Sequence, residues 1–300
     1  VSRYRTRVFT GPFSLLAQPG QASAGQSIYF CHTPPRFLYD LRDLFESRLP
    51  AWQRPLLAAF RRYYQAQYEA AVRSMDTVLA NSTTVQRRLR HFLGIDARVV
   101  YPPVNVDRFR WGDDAGYFLS MARLEPDKRV DRIVAAFLRM PRCRLLIASG
   151  GPCEQALRLQ AGNAANIEFV GWQSEQAMSD LVGRCRATIY VARDEDFGMS
   201  PVESMAAGKP VIGVAEGGLT ETVIDGETGW LLPPDFETDQ LMDAVRRVTR
   251  HQAASMRDAC EHRAQDFDRV HFWNAWAPCL KVADEGKPAI RMPVSRRMHP

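Results

Sequence analysis

Residues 187–203 read Ala187-Thr188-Ile189-Tyr190-Val191-Ala192-Arg193-Asp194-Glu195-Asp196-Phe197-Gly198-Met199-Ser200-Pro201-Val202-Glu203. The first five form a short apolar, β-branched run of the kind buried in a parallel sheet. Ser200 is a good N-cap, Pro201 fits the first helical position, and Gly208 followed by Pro210 closes the helix. The spacing therefore predicts a strand, a turn through Gly198, and a helix whose third residue is Glu203. Glu195 falls just past the strand's carboxyl end, where open α/β sheets bind ligands and helix N-termini favour anionic groups. Glu195 and Glu203, eight residues apart, suit the grip on a polyhydroxylated ligand. Ser200-x-x-Glu203 is also a capping box, which would leave Glu203 as a mere helix cap; capping does not account for Glu195.

The same alternation extends in both directions. Strands are expected at Tyr117 to Ser120, Leu145 to Ala148, Ile167 to Val170, Val211 to Val214 and Trp230-Leu231-Leu232, separated by helical stretches. That order reads as a parallel, doubly wound sheet. Val211 to Val214 runs into Glu216-Gly217-Gly218-Leu219-Thr220-Glu221, whose bare backbone amides suit a phosphate. The alternative is an ordinary flexible turn. Arg123 and Lys128 emerge together after Tyr117 to Ser120, and cations there can make charge-assisted hydrogen bonds to a diphosphate. Each is otherwise a solvated surface charge.

Upstream, Ile28-Tyr29-Phe30 leads into Cys31-His32-Thr33-Pro34-Pro35-Arg36, placing His32 at another strand end. A lone histidine is commonly structural, and Cys31 reads as a small buried hydrophobe. Arg36 either meets an acceptor phosphate or pairs with Asp40 four residues on. Strands at Val78-Leu79-Ala80 and Val99-Val100 continue a first domain, which ends at Pro102-Pro103; residues 1 to 27 show no clear periodicity.

With these residues in view, the chain resembles the retaining glycosyltransferases of family four, the group 1 enzymes of the GT-B fold. Glu195 and Glu203 match the family's E-x7-E motif. Ser120 to Asp131 resembles its R-x4-K loop, and Tyr101-Pro102-Pro103-Val104 and Gly208-Lys209-Pro210-Val211-Ile212 also match. Cys31 to Arg36 is similar to a segment of bacterial polysaccharide mannosyltransferases. The resemblance covers roughly residues 28 to 278.

It implies an α/β fold of GT-B type, two Rossmann-like domains with parallel sheets, the first incomplete. The domains expected are 1–105 on the acceptor side and 106–265 binding the nucleotide sugar. A helix at 266–284 crosses back to the first domain, and 285–300 forms a disordered tail. It further implies catalytic roles for His32, Arg123, Lys128 and Glu195. Glu203 would hold the ribose hydroxyls, Glu195 the donor sugar's hydroxyls, and Phe197, Gly198, Gly217, Gly218 and Leu219 would complete the donor site. The donor is a nucleotide-diphosphate sugar of the GDP-mannose type, and the acceptor is lipid-linked or a polysaccharide. Neither a cofactor nor a metal is called for.

Family members normally carry further βα units before the His-Thr-Pro segment, whereas 31 residues precede His32 here. The expectation is a truncated first domain, with a non-catalytic nucleotide-sugar-binding protein as the alternative function. A third reading takes Asp194-Glu195-Asp196 as a D-x-D metal site of a different glycosyltransferase fold.

Composition bounds the rest. Three hundred residues, 46% hydrophobic, suit about two ordinary domains. Six cysteines with no C-x-x-C pair read as a reduced, cytosolic protein, and no apolar stretch reaches membrane-spanning length. Net charge +5 invites an anionic partner. Basic residues are scattered without a nucleic-acid motif, which points to phospholipid or a lipid-linked acceptor instead. Leu49 to Arg73 sets Trp52, Leu56, Leu57, Phe60, Tyr63, Tyr64 and Tyr68 against Arg48, Arg54, Arg61 and Arg62. Such a face suits peripheral contact with anionic membrane, and equally suits an ordinary domain helix.

Overall fold

The computed structural model describes residues 4–17, 25–47 and 49–280, which build two parallel sheets, each flanked by helices. In the first, β1 (Thr6–Thr10), β2 (Gln26–Cys31), β3 (Thr77–Ala80) and β4 (Arg98–Val99) lie side by side in chain order. Its helices are α1 (Arg42–Ser47), α2 (Arg54–Arg73) and α3 (Thr83–Leu93). Every residue of β2 is buried, as its run of apolar side chains requires of a central strand. The Ser82 hydroxyl accepts from the Val85 amide to cap α3, and Gly94 ends it in a left-handed conformation.

Strand β1 lies within the stretch where no periodicity was expected. The reason is local: Arg7 is buried and Val8 exposed, so hydrophobicity does not follow the inward and outward alternation. The Arg7 guanidinium donates to the Gly25 carbonyl at 3.1 Å.

The second sheet comprises β5 (Tyr117–Ser120), β6 (Arg144–Ile147), β7 (Ile167–Phe169), β8 (Thr188–Ile189), β9 (Val211–Val214) and β10 (Gly229–Leu232). Helices α4 (Val130–Leu138), α5 (Glu154–Ala161), α6 (Glu175–Arg184), α7 (Met199–Ala206) and α8 (Leu219–Thr222) alternate with them. Spatial order is β10-β9-β8-β5-β6-β7. The chain starts at β5, runs outward through β6 and β7, then returns to β8 and runs out the other way. The topological switch point therefore lies between β5 and β8, the position where doubly wound sheets open a crevice at their carboxyl edge.

Helices α9 (Thr238–Arg247), α10 (Arg250–Ser255), α11 (Arg257–Gln265) and α12 (Arg269–Trp276) follow. Trp276 and Phe272 of α12 pack on Phe30 of β2, with ring centroids 5.4 Å and 6.2 Å away, so this helix returns to cover the first sheet. The expected tail at 285–300 lies outside the described residues, as does Arg48.

Two local expectations are corrected. Helix α7 begins at Met199 with Gly198, at φ +91°, as its N-cap, and no side chain caps it. Ser200 and Pro201 sit two positions further in than expected, and Glu203 is the fifth helical residue, out of reach of a capping box. In α2 the residues Arg61, Tyr64, Tyr68 and Val72 face inward, and Arg61 is ion-paired with Glu46. Arg61 is thus no part of a basic outer face.

Candidate active site

Loops after β5, β8 and β9, three neighbouring strands, meet at the switch point. The loop after β5 brings Lys128; the loop after β8 brings Glu195. The Lys128 Nζ donates to Glu195 Oε2 at 2.8 Å, and the Tyr190 hydroxyl donates to the same oxygen at 2.7 Å. Burial alone would lower the Lys128 pKa, but the Glu195 and Asp127 carboxylates outweigh it and hold the pKa above the usual lysine value. Lys128 is therefore a firm cation at neutral pH.

Both residues line a cleft of about 580 Å³, whose far wall comes from Arg36 and Phe45 of the first domain and whose near wall includes Glu125 and Arg193. Below it, Arg129 adopts a left-handed conformation, φ +51°, and sends its buried guanidinium to the Val191 carbonyl, the Pro234 carbonyl and the Glu216 carboxylate. That single side chain ties together the segments leaving β5, β8 and β9.

The Gly217-Gly218 loop packs onto the backbone of this same segment. A Cβ on Gly217 would lie 2.4 Å from the Glu195 carbonyl oxygen, and one on Gly218 would lie 2.4 Å from Phe197 Cα. Gly217 also sits at φ +59°. The Gly218 amide donates to the Glu195 carbonyl at 2.7 Å, so it is not a bare amide awaiting phosphate. The glycines instead let the two loops touch.

Phe197 is buried against Tyr101 and Phe267, and Leu219 is fully buried. Their side chains support the site from beneath. Glu203 is half-buried on α7, and its carboxylate takes no hydrogen bond from any described residue; burial pushes its pKa up, with Arg108 partly opposing. An ionised carboxylate held without donors is costly unless something else supplies them. Arg123 stands 65% exposed, paired with Glu125 at 2.9 Å. It does not join the Lys128–Glu195 pair. His32 is exposed at the end of β2 with its ring 4.8 Å from Phe30, and it is not among the residues that line the cleft.

Arg88 and Glu221 were not singled out from sequence, and Arg36 was expected to meet Asp40 or an acceptor phosphate but not the second domain. Arg88 of α3 reaches across to pair with Asp194 at 2.6 Å and with Asp196. Arg36 pairs with both Asp40 and Asp194. Glu221 accepts from the Thr83 and Thr84 amides at 2.7 Å each, so a carboxylate of the second domain caps a helix of the first. These contacts engage Asp194 and Asp196 with arginines, which leaves the D-x-D reading without free carboxylates. Among the described residues no group of three or more His, Cys, Asp or Glu is arranged to hold a metal ion.

Comparison with known proteins agrees with this geometry. The family model described as "Glycosyl transferases group 1" matches residues 105–267, and that described as "Glycosyltransferase Family 4" matches residues 9–108. The D-inositol 3-phosphate glycosyltransferase of Mycobacteroides abscessus is 30% identical over 188 residues, 55% of this chain and 42% of that protein. The corresponding protein of Mycobacterium tuberculosis is 30% identical over 206 residues, 61% of this chain and again 42% of its own length. The chain thus spans less than half the length of these relatives. Among solved structures, sucrose-phosphate synthase from Thermosynechococcus elongatus superposes with a TM-score of 0.76 at 22% identity, covering 92% of this chain and 73% of that one. HepE of Anabaena in complex with UDP and glucose gives 0.74 at 18% identity, covering 93% and 78%. At such identities the structures establish the fold alone, a GT-B arrangement of two Rossmann-like domains. The matched family model spans more than half of the chain, which belongs to the group 1 glycosyl transferases.

Proposed function

We propose that the chain binds a nucleotide-diphosphate sugar in the cleft at the switch point and transfers its hexose, with retention, to a lipid-linked or polysaccharide acceptor. The observation that carries this reading is the pairing of a firm cation, Lys128, with an oriented carboxylate, Glu195, at the mouth of the second sheet. The cation meets the diphosphate and stabilises the charge that develops as it leaves. Glu195 meets the sugar's hydroxyls, and the unpaired Glu203 carboxylate accepts from the ribose. Arg123, on its exposed loop, exchanges Glu125 for a phosphate oxygen. The sugar departs as an oxocarbenium-like species while the acceptor hydroxyl attacks from the diphosphate's own face. Assignment of the hexose as mannose rests on the Cys31 to Arg36 resemblance.

Incubating the chain with GDP-mannose or UDP-glucose and a polyprenyl-linked saccharide tests the proposal. Transfer is expected to proceed equally in excess chelator, since Lys128 supplies the positive charge and arginines occupy Asp194 and Asp196. Loss of activity in chelator, restored by Mg²⁺ or Mn²⁺, would contradict the metal-independent arrangement.

The outer face of α2, with the turn at Ala51–Gln53 that leads into it, supports contact with an anionic lipid surface. Trp52, Leu56, Phe60 and Tyr63 recur at helical spacing and are all exposed, Trp52 at 76%, with exposed Arg54 and Arg62 beside them. Among the described residues no helix is long and apolar enough to cross a membrane. The chain is expected to sediment with phosphatidylglycerol vesicles and to detach as salt rises. Substitution of Arg54 and Arg62 by Glu should abolish the association; Arg61 is unsuitable because its buried pair with Glu46 would break. Sedimentation unaffected by salt or by these charges would rule the surface out.

A further inference from the structure

We propose that Tyr190 is a positioning residue that fixes the orientation of Glu195 toward the donor sugar, an inference that rests on Glu195 facing that sugar. Tyr190 and Glu195 are five residues apart, and their meeting needs the chain to turn back sharply after β8. Asp194, at φ +48°, makes that turn, and the Arg193 amide secures it on the Asp127 carbonyl at 2.7 Å. The Tyr190 side chain is 8% exposed, with its ring in the core of the second domain. Packing alone would be served by phenylalanine. The hydroxyl has a single partner among the described residues, Glu195 Oε2 at 2.7 Å.

Two donors, Tyr190 and Lys128, converge on that one oxygen. Oε1 is left free to meet a ligand in the cleft that Glu195 lines. The two donors differ in what they do when the donor sugar nucleotide binds. Lys128 is also required by the diphosphate, so its hold on Glu195 is shared. Tyr190 is not among the residues that line the cleft, so its hold on Glu195 is undivided. Burial and the neighbouring Glu195 charge keep the phenol protonated far above neutral pH. It therefore donates a hydrogen bond throughout and takes no proton.

The test compares Tyr190→Phe, Glu195→Gln and the double variant in calorimetric titrations with GDP-mannose and UDP-glucose, using GDP and UDP as sugarless references. Thermal unfolding of each variant confirms that it is folded. Tyr190→Phe should bind the sugarless nucleotide like the parent while its affinity or kcat for the sugar nucleotide falls about 10-fold, the value of one hydrogen bond to a charged group. The double variant should be no worse than Glu195→Gln alone, because one residue acts through the other. Parent-like behaviour of Tyr190→Phe beside an impaired Glu195→Gln would overturn the positioning role alone. Additive losses, or equal losses for both kinds of nucleotide, would also overturn it, as those of a structural tyrosine. A Glu195→Gln variant indistinguishable from the parent would instead remove the donor role of Glu195, and the role of Tyr190 with it.

Discussion

Lys128→Ala should reduce turnover by about 10²–10³, the usual consequence of removing one aimed donor from a developing negative charge. The same substitution should weaken nucleoside diphosphate binding by about 10- to 100-fold, because a charge-assisted contact to phosphate is lost. Free nucleoside, which carries no phosphate, should bind unchanged. Glu195 keeps the Tyr190 hydroxyl as a donor, so the carboxylate is not stranded and the fold should survive. Arg123→Ala should cost less, under about 10-fold, since an exposed guanidinium already engaged by Glu125 acts through solvent-screened charge. Titration with nucleoside, nucleoside diphosphate and sugar nucleotide separates these cases. Equal diphosphate affinity in Lys128→Ala and the parent would show that the loop after β5 does not face phosphate.

The second sheet was legible because its inner strands are buried on both faces, so apolar runs such as Leu145 to Ala148 and Val211 to Val214 stand out against polar helices. Glu195 and Lys128 were legible for the same reason, each lying at the end of one of these runs. Their direct contact was not, since it depends on β5 and β8 being neighbours, and a sequence gives strands in chain order only. Strand β1 was missed because Arg7 points inward and Val8 outward. The capping box was misplaced because a glycine with positive φ, Gly198, starts the helix sooner than a serine cap would.

Arg88, Arg36 and Glu221 illustrate a harder limit. In sequence Arg88 and Glu221 are unremarkable charges, and Arg36 offers only Asp40 as a partner within the chain. Their partners lie more than a hundred residues away in the other domain, at Asp194, Asp196 and the amides of Thr83 and Thr84. Only the docking of two sheets reveals that the loop carrying Glu195 is clamped by the first domain. The glycines at 217 and 218 were read as bare amides for a phosphate or as a flexible turn, whereas in the structure they let the loop approach the Glu195–Phe197 backbone.

Glu203 and Glu195 divide the proposed donor between them, one carboxylate reading the ribose and the other the sugar. With capping excluded by geometry, Glu203 is left half-buried without a donor, and its pKa is raised by that burial. Burial thus makes its ionised form a burden on the unliganded protein, which is lost when glutamine removes the charge. Glu203→Gln should leave the melting temperature at pH 7 unchanged or higher while weakening nucleoside diphosphate by about 10- to 100-fold, whether or not a sugar is attached. Glu195→Gln should spare the nucleoside diphosphate and impair only the sugar nucleotide. The most direct measurement is calorimetric titration of both variants with a nucleoside diphosphate and with its sugar nucleotide. The account predicts that Glu203→Gln loses affinity for both ligands and that Glu195→Gln loses affinity or turnover for the sugar nucleotide alone. Full nucleoside diphosphate binding by Glu203→Gln, or equal losses for both ligands in Glu195→Gln, would contradict it.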